Sequence, residues 1–378
     1  MPVRQTAERG FAVPFLDLAP AHAPLKDVLL QEIAELLDTG AFTNGPAVAE
    51  FEQAFAAYCG VEHCVGVSSG LDALRLALLA AGLEVGDEVV VPAATFVATL
   101  EAVTQAGGVP VVADVSELDY CLDPDAVRAA VGPNTRALMP VHLYGQMADM
   151  QTLRDVAASR RLVVVEDACQ AHGAERDGLR AGAAGTAAAF SFYPGKNLGA
   201  AGDAGAFVSS NAQAVKRVRA LREHGQTRKY VHAVEGWTAR LDTIHALVLM
   251  RKLTYLDEWN GRRRAAAAFY DEALRGVGDL ALPPVPEGSR PVWHLYVVRT
   301  AKPEELAVFL RERGIGTGRH YPYPVHLTDA YARLGYRPGA FPVAEALCQE
   351  CLSLPMFPGI SEVQLEAVVD AVRTFFDG

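Results

Sequence analysis

Apolar residues recur along this chain in two alternating rhythms. Short continuous runs at Cys64–Val67, Glu88–Val91, Pro110–Ala113, Ala137–Val141, Leu162–Glu166, Ala187–Phe192 and Gly205–Ser209 read as seven buried strands. Between them, helical spacing predicts helices over Leu71–Ala81, Val97–Ala106, Asp125–Val131 and Met147–Ser159. Short apolar strands alternating with helices predict a mostly parallel sheet covered on both faces. Two amphipathic helices come first, Pro24–Gly40 and Ala47–Tyr58, parted by the turn Phe42-Thr43-Asn44-Gly45-Pro46. Gln213–Gly225 is a further helix, and Ile244 to about Leu274 is a long helical tract. Beyond Pro283-Pro284 the texture changes. Val292–Arg299 reads as a strand, Pro303–Arg313 as a helix and Gly314–His320 as a strand through glycines, and Phe341–Leu352 and Ser361–Phe376 as helices. The expectation is an α/β protein with a large domain over residues 1–245 and a smaller α+β domain over 246–378. Packing of the N-terminal helix on the small domain is left open.

Composition narrows the class. The chain has 378 residues, 51% of them hydrophobic and 21% charged, as in a soluble globular protein. A net charge of −11 argues against nucleic acid as a partner. Arg262-Arg263-Arg264 reads as a solvated helix face. No stretch approaches the ~20 apolar residues of a membrane span, and the start of the chain, with Arg4, Glu8 and Arg9, has no apolar signal-peptide core. A cytoplasmic location without membrane partners is expected. The six cysteines are scattered, and Cys348 and Cys351 form one C-x-x-C. Without a second pair of ligands they read as half-buried helix residues, and no metal site is expected.

Candidate chemistry collects at the carboxyl ends of the strands, which in a parallel sheet share one crevice. There the chain places Ser68-Ser69-Gly70-Leu71-Asp72, Pro92-Ala93-Ala94-Thr95-Phe96, His142-Leu143-Tyr144-Gly145-Gln146, Asp167-Ala168-Cys169-Gln170 and Tyr193-Pro194-Gly195-Lys196-Asn197. Ser69-Gly70-Leu71 leads into a helix whose free N–H groups suit a phosphate, or is an ordinary N-cap. Asp167 ends a buried strand and either needs a cationic partner or caps the next turn. His142 and His172 are acid–base groups or hydrogen-bonded spacers, and Phe96 stacks on a flat ring or joins the core. Lys196 is a loop lysine or a desolvated amine able to form a Schiff base. A phosphate, an aldehyde and a pyridine nitrogen would together satisfy the helix N-terminus, Lys196 and Asp167. One cofactor carries all three: pyridoxal 5'-phosphate.

Across nearly the whole chain the sequence resembles the DegT/DnrJ/EryC1/StrS sugar aminotransferases. The ordered motifs are Thr43-Asn44-Gly45-Pro46, Ser69-Gly70-Leu71-Asp72, Pro92-Ala93-Ala94-Thr95-Phe96, Val141–Gln146, Val165–Gly173, Phe190–Gly199, Arg240-Leu241-Asp242, His320-Tyr321-Pro322 and Leu352–Pro358. The resemblance implies a fold type I pyridoxal-phosphate-dependent aminotransferase. Lys196 matches the Schiff-base lysine, Asp167 the carboxylate paired with the ring nitrogen and Gln170 the amide near the ring hydroxyl. Gly70, Leu71 and Ser191 match phosphate contacts, Phe96 the stacking aromatic, and His320 and Tyr321 sugar contacts. Thr238 stands where the family usually has an asparagine that reaches the phosphate in the neighbouring subunit, and His245 replaces a usual glutamine. The implied reaction moves an amino group from L-glutamate, through pyridoxamine phosphate, to a nucleotide-linked keto-sugar, with the lysine motif favouring a dTDP- or UDP-linked 3-keto hexose. A homodimer with shared active sites is implied as well. The rivals are a 4-keto-sugar or cyclitol aminotransferase and a non-catalytic regulatory protein; a dehydratase branch would lack Lys196.

Overall fold

The computed structural model describes residues 11–378; the start of the chain, read above as lacking a signal-peptide core, lies outside them. Seven strands form the central sheet: β1 (His63–Val67), β2 (Glu88–Pro92), β3 (Val109–Ala113), β4 (Thr135–Leu138), β5 (Val163–Asp167), β6 (Ala187–Ser191) and β7 (Gly205–Ser209). Their spatial order is β1-β7-β6-β5-β4-β2-β3. All are parallel except β7, which runs antiparallel to both neighbours. Six strands therefore end at one edge, and β7 starts there, with Gly205 in register with both Val67 and Ser191. A side chain at Gly205 would meet the Ser69 carbonyl oxygen at 2.3 Å, so only glycine lets the turn after β1 lie across this strand.

The strands are near-continuous apolar runs because both faces are covered. Val89, Val90 and Val91 are all fully buried. Strand β6 shows how the period-two alternation sets up the site. Phe190 and Phe192 share one face and meet Phe51 and Phe55 edge to face, with ring centroids 5.0–5.4 Å apart. Those two rings belong to helix α1 (Pro46–Cys59). Ser191 faces the other way, toward helix α2 (Gly70–Ala80).

A second core surrounds an antiparallel pair, β8 (Tyr296–Arg299) and β9 (Cys351–Leu354), and includes Tyr270, Leu306, Leu310 and Val368. Val13 belongs to this core and bridges Ile315. Leu25 and Leu29 pack instead on Val248 and Trp259 of the helical tract.

Several sequence expectations change. The tract from Ile244 is two helices, α3 (Thr243–Leu253) and α4 (Leu256–Ala273). Residues 314–320 are not a strand. They make single bridges, Ile315 to Val13 and Gly318 to Ser353 of β9, to two different neighbours, so no continuous ladder forms. The helix before Leu352 ends at Glu350, and Cys351 opens β9, so Cys348 and Cys351 are not two helix residues and both are buried. The arginine triplet is not one solvated face. Helical rotation turns Arg263 inward, where its guanidinium donates to the carbonyls of Trp293 and Met356. No helix among the described residues is long and apolar enough to cross a membrane.

Candidate active site

Lys196 follows β6 in a loop locked by its own backbone. Pro194-Gly195 makes the turn that returns the Lys196 N–H to the Tyr193 carbonyl (2.8 Å), and the Ala200 N–H closes on the Phe192 carbonyl (2.7 Å). A Cβ on Gly199 would meet the Pro194 oxygen at 2.3 Å, so the loop closes only through glycine. Burial lowers the Lys196 pKa, opposed by the nearby Cys169 thiol and Asp167 carboxylate.

Asp167 is the last residue of β5 and is 6% exposed. Its carboxylate accepts from two neutral donors, the Thr99 hydroxyl (2.8 Å) and the Cys169 N–H (3.3 Å). Its neighbour Glu166 points to the opposite face, as strand alternation requires. There it accepts from the N–H groups of Gly182, Ala184 and Gly185 and pairs with fully buried His142 at 2.8 Å. The other His142 nitrogen accepts from the Ala148 N–H, so this histidine donates to Glu166 and is a structural spacer. His172 packs against Phe190 and Phe192, and burial drives its pKa to about 3, which keeps the ring neutral.

Helix α2 brings Gly70 against the end of β6. A Cβ there would lie 2.7 Å from the Ser191 Cβ and 2.8 Å from the Cys169 sulfur. Gly70, half-buried Leu71 and the Ser191 hydroxyl thus sit together at a helix N-terminus, with Ser69 capping Asp72 N–H at 3.1 Å. Gln170 bridges two segments: its carbonyl accepts from Tyr144 N–H (2.8 Å) and its amide donates to the Tyr321 hydroxyl (3.1 Å). The Phe96 ring lies 5.5 Å from that of Tyr321 and stays 51% exposed, open to a stacking partner. His320 stacks on Phe15, bonds Ser353 at 2.9 Å, and is held at a pKa of about 4 by burial and by the Lys196 charge.

The structure therefore gathers Lys196, Asp167, Gln170, Ser191, Gly70, Leu71, Phe96, His320 and Tyr321 around one crevice. Thr238 is apart from them: it is exposed and its hydroxyl bonds His224 at 2.8 Å. Nothing in the sequence marks Thr99, and Tyr144 and Asn197 stand at predicted strand ends without a role for either. Thr99 sits inside an ordinary helical pattern, and only the fold aims it at Asp167. Tyr144 donates its N–H to Gln170 and its hydroxyl to the His320 carbonyl. Asn197 donates to Asn260 and to the Val292 carbonyl, both at 2.8 Å.

A flat anionic aldehyde with a basic ring nitrogen fits these groups. Gly70 lets the N-terminus of α2 lie hard against Ser191 and Cys169, where its first N–H groups suit an anion, and buried Asp167, which accepts from the neutral donors Thr99 and Cys169, suits a cationic nitrogen. A crevice of that chemistry on this sheet puts the chain among the fold type I pyridoxal-phosphate-dependent aminotransferases. Comparison with known proteins narrows the class. Residues 25–373 match the DegT/DnrJ/EryC1/StrS aminotransferase family, and the chain belongs to it. It is 48% identical over 361 residues to the dTDP-3-amino-3,4,6-trideoxy-alpha-D-glucose transaminase of Streptomyces venezuelae, covering 96% of this chain and 95% of that one. It is 42% identical over 366 residues to a pleiotropic regulatory protein of Geobacillus stearothermophilus, covering 96% and 98%. The crystal structure of S. venezuelae DesV in complex with a ketimine intermediate superposes with a TM-score of 0.95 at 47% identity, covering 97% of this chain and 99% of that one.

Proposed function

We propose that this aminotransferase moves the amino group of L-glutamate to the ketone of a nucleotide-linked sugar, with a dTDP- or UDP-linked 3-keto hexose as acceptor. The observation that carries the reading is the meeting of a desolvated Lys196, buried Asp167 and the Gly70–Ser191 cradle at one sheet edge. The likeness to a transaminase named for a 3-amino sugar supports the ketone position.

Bound pyridoxal phosphate supplies an aldehyde for the amine and a ring that withdraws electrons. Lys196 would hold that aldehyde through its amine, and the same amine, when free, would take up and return a proton beside the donor's α-carbon, a role that its lowered pKa assists. Asp167, itself oriented by Thr99, would keep a proton on the ring nitrogen. Gly70, Leu71 and Ser191 would hold the phosphate, Gln170 would serve the ring hydroxyl, and Phe96, with its exposed ring, would stack on the cofactor. His320 and Tyr321 contact the sugar, both positioned through Tyr144 and Gln170. In the second half-reaction the Lys196 amine would serve the reverse proton movement.

The enzyme acts in the cytoplasm as a homodimer, in which Thr238 serves the neighbouring subunit's phosphate. Exposed Leu30, Leu37, Phe42 and Tyr230 support such an assembly surface. The separate core around β8 and β9 supports a smaller C-terminal domain within residues 246–378, with Val13 joining that core and Ala246, Leu249 and Leu256 packing into the core of the large sheet.

The test is a half-reaction. The enzyme is aminated with L-glutamate and offered dTDP- and UDP-linked 3-keto sugars, their 4-keto isomers and inososes. Recovery of the starting spectrum with a 3-keto sugar supports the reading. Recovery only with a 4-keto sugar or an inosose moves the acceptor. Failure with every amino donor favours the regulatory reading, which the Geobacillus relative's description also suggests. Sedimentation gives the assembly: an active monomer at assay concentration contradicts the shared site.

A further inference from the structure

Helices α3 and α4 press three polar side chains against the segments that surround Lys196. Asn260 accepts from Asn197 and donates to the His172 carbonyl, both at 2.8 Å. Arg263 reaches the carbonyls of Trp293 and Met356. Lys252, on α3, is 3% exposed, and its ammonium donates to the Gly199 carbonyl at 2.6 Å.

Lys252 is the anomaly. Burial lowers its pKa, to about 8, and among the described residues no carboxylate pairs with it. Its charge in turn helps burial to lower the pKa of nearby His22. A buried ammonium without a counter-ion opposes folding, and an apolar side chain of similar length would fill the same space without that penalty. What the ammonium does is hold one backbone carbonyl. That carbonyl belongs to Gly199, the residue that closes the Lys196 loop and whose Cβ position is blocked by Pro194. A charged donor makes the stronger hydrogen bond.

We propose that Lys252 is a positioning residue for transamination: its ammonium fixes the Gly199 carbonyl, and with it the backbone of the Tyr193–Ala200 loop, so that the Lys196 amine returns to one place in each half-reaction. The reading of Lys196 as the reacting amine underlies this. Lys196 has a flexible four-carbon stem that must leave the cofactor and come back. Only the backbone can set where it returns, and a misplacement of about 1 Å costs on the order of 100-fold in rate.

The holoenzyme and its Lys252→Met variant are compared by thermal unfolding, by hydrogen exchange of residues 195–200, and by half-reaction kinetics with L-glutamate. The expected result is an unfolding temperature equal to or above wild type. Loop amides exchange about tenfold faster, and kcat falls about 10- to 100-fold with KM for L-glutamate unchanged within about twofold. Lys252→Gln, which keeps a donor on a shorter stem, falls between the two in exchange and in kcat. Wild-type exchange and kcat in Lys252→Met overturn the proposal. So does a variant whose only defect is instability, with Lys252→Gln then equal to wild type in loop exchange but deficient in folding. Borohydride trapping followed by peptide mapping separates the two readings: label absent from Lys196 in wild type refutes the amine assignment, whereas label present in both proteins with an unmoved loop refutes the role of Lys252.

Discussion

At the scale of single residues, the site depends on environment more than on identity. The chain has several lysines, and Lys196 differs in lying at a strand end where burial lowers its pKa. Lys196→Ala is expected to reduce turnover by about 10³-fold or more while the unfolding temperature stays near wild type, because the loop is closed by backbone bonds that the substitution leaves intact. Retained turnover in a purified variant would remove Lys196 from the reaction. Asp167→Asn keeps shape and the bond from Thr99 but loses the charge. A charge-assisted bond is worth about 1.5–3 kcal/mol, so kcat should fall about 10- to 100-fold. Stopped-flow measurement of the half-reaction checks this, and normal rates would refute the ring-nitrogen role. Lys196, Asp167 and Gln170 were legible from their place after apolar runs. Thr99 was not, since a threonine in a helix carries no sign of which strand end it will meet.

At the scale of elements, strand alternation does two jobs at once. In β6 it sends Phe190 and Phe192 into the aromatic cluster and Ser191 toward α2. In β5 it sends Glu166 into a fully bonded structural site and Asp167 into the crevice. The approach of α2 to β6 tolerates only glycine at position 70. Gly70→Ala is therefore expected to overpack by about 1–3 kcal/mol and to weaken cofactor retention about tenfold or more. Dialysis against cofactor-free buffer followed by absorbance measures it, and unchanged retention would show that α2 can shift without loss. Strands and helices of the large sheet were readable because each is long and periodic. Cys351 was misassigned because a four-residue strand directly after a helix continues its apolar pattern; only pairing with Tyr296–Arg299 makes it a strand.

At the scale of the whole molecule, three neutral histidines lie close to the lysine: His172 at a pKa of about 3, His320 at about 4, and His294 held well below the usual value by burial and by the Lys196 charge. Their unfolded value is near 6.5. Below that pH the unfolded chain binds protons first, so stability is present above about pH 6.5 and is lost as pH falls toward 4. Each such group contributes a slope of up to about 1.4 kcal/mol per pH unit. Thermal unfolding at a series of pH values tests this. The unfolding temperature should drop steadily from pH 6.5 to 4, His172→Gln should flatten the drop, and a constant value across that range would contradict the neutral assignments.

The sequence by itself determined the alternation of strands and helices, a mostly parallel sheet whose strands end at a common edge, and the residue types that face that edge. Those follow from local periodicity and from the rule that parallel strands end together. Tertiary structure decided which polar groups meet. It aimed Thr99 at Asp167, turned Arg263 inward, set His142 on Glu166 and Lys252 on Gly199, and left Thr238 outside the crevice. These pairings join residues from separate elements, and their partners are often backbone carbonyls or N–H groups. A backbone group has no letter in the sequence, so its partner is fixed only when the elements pack.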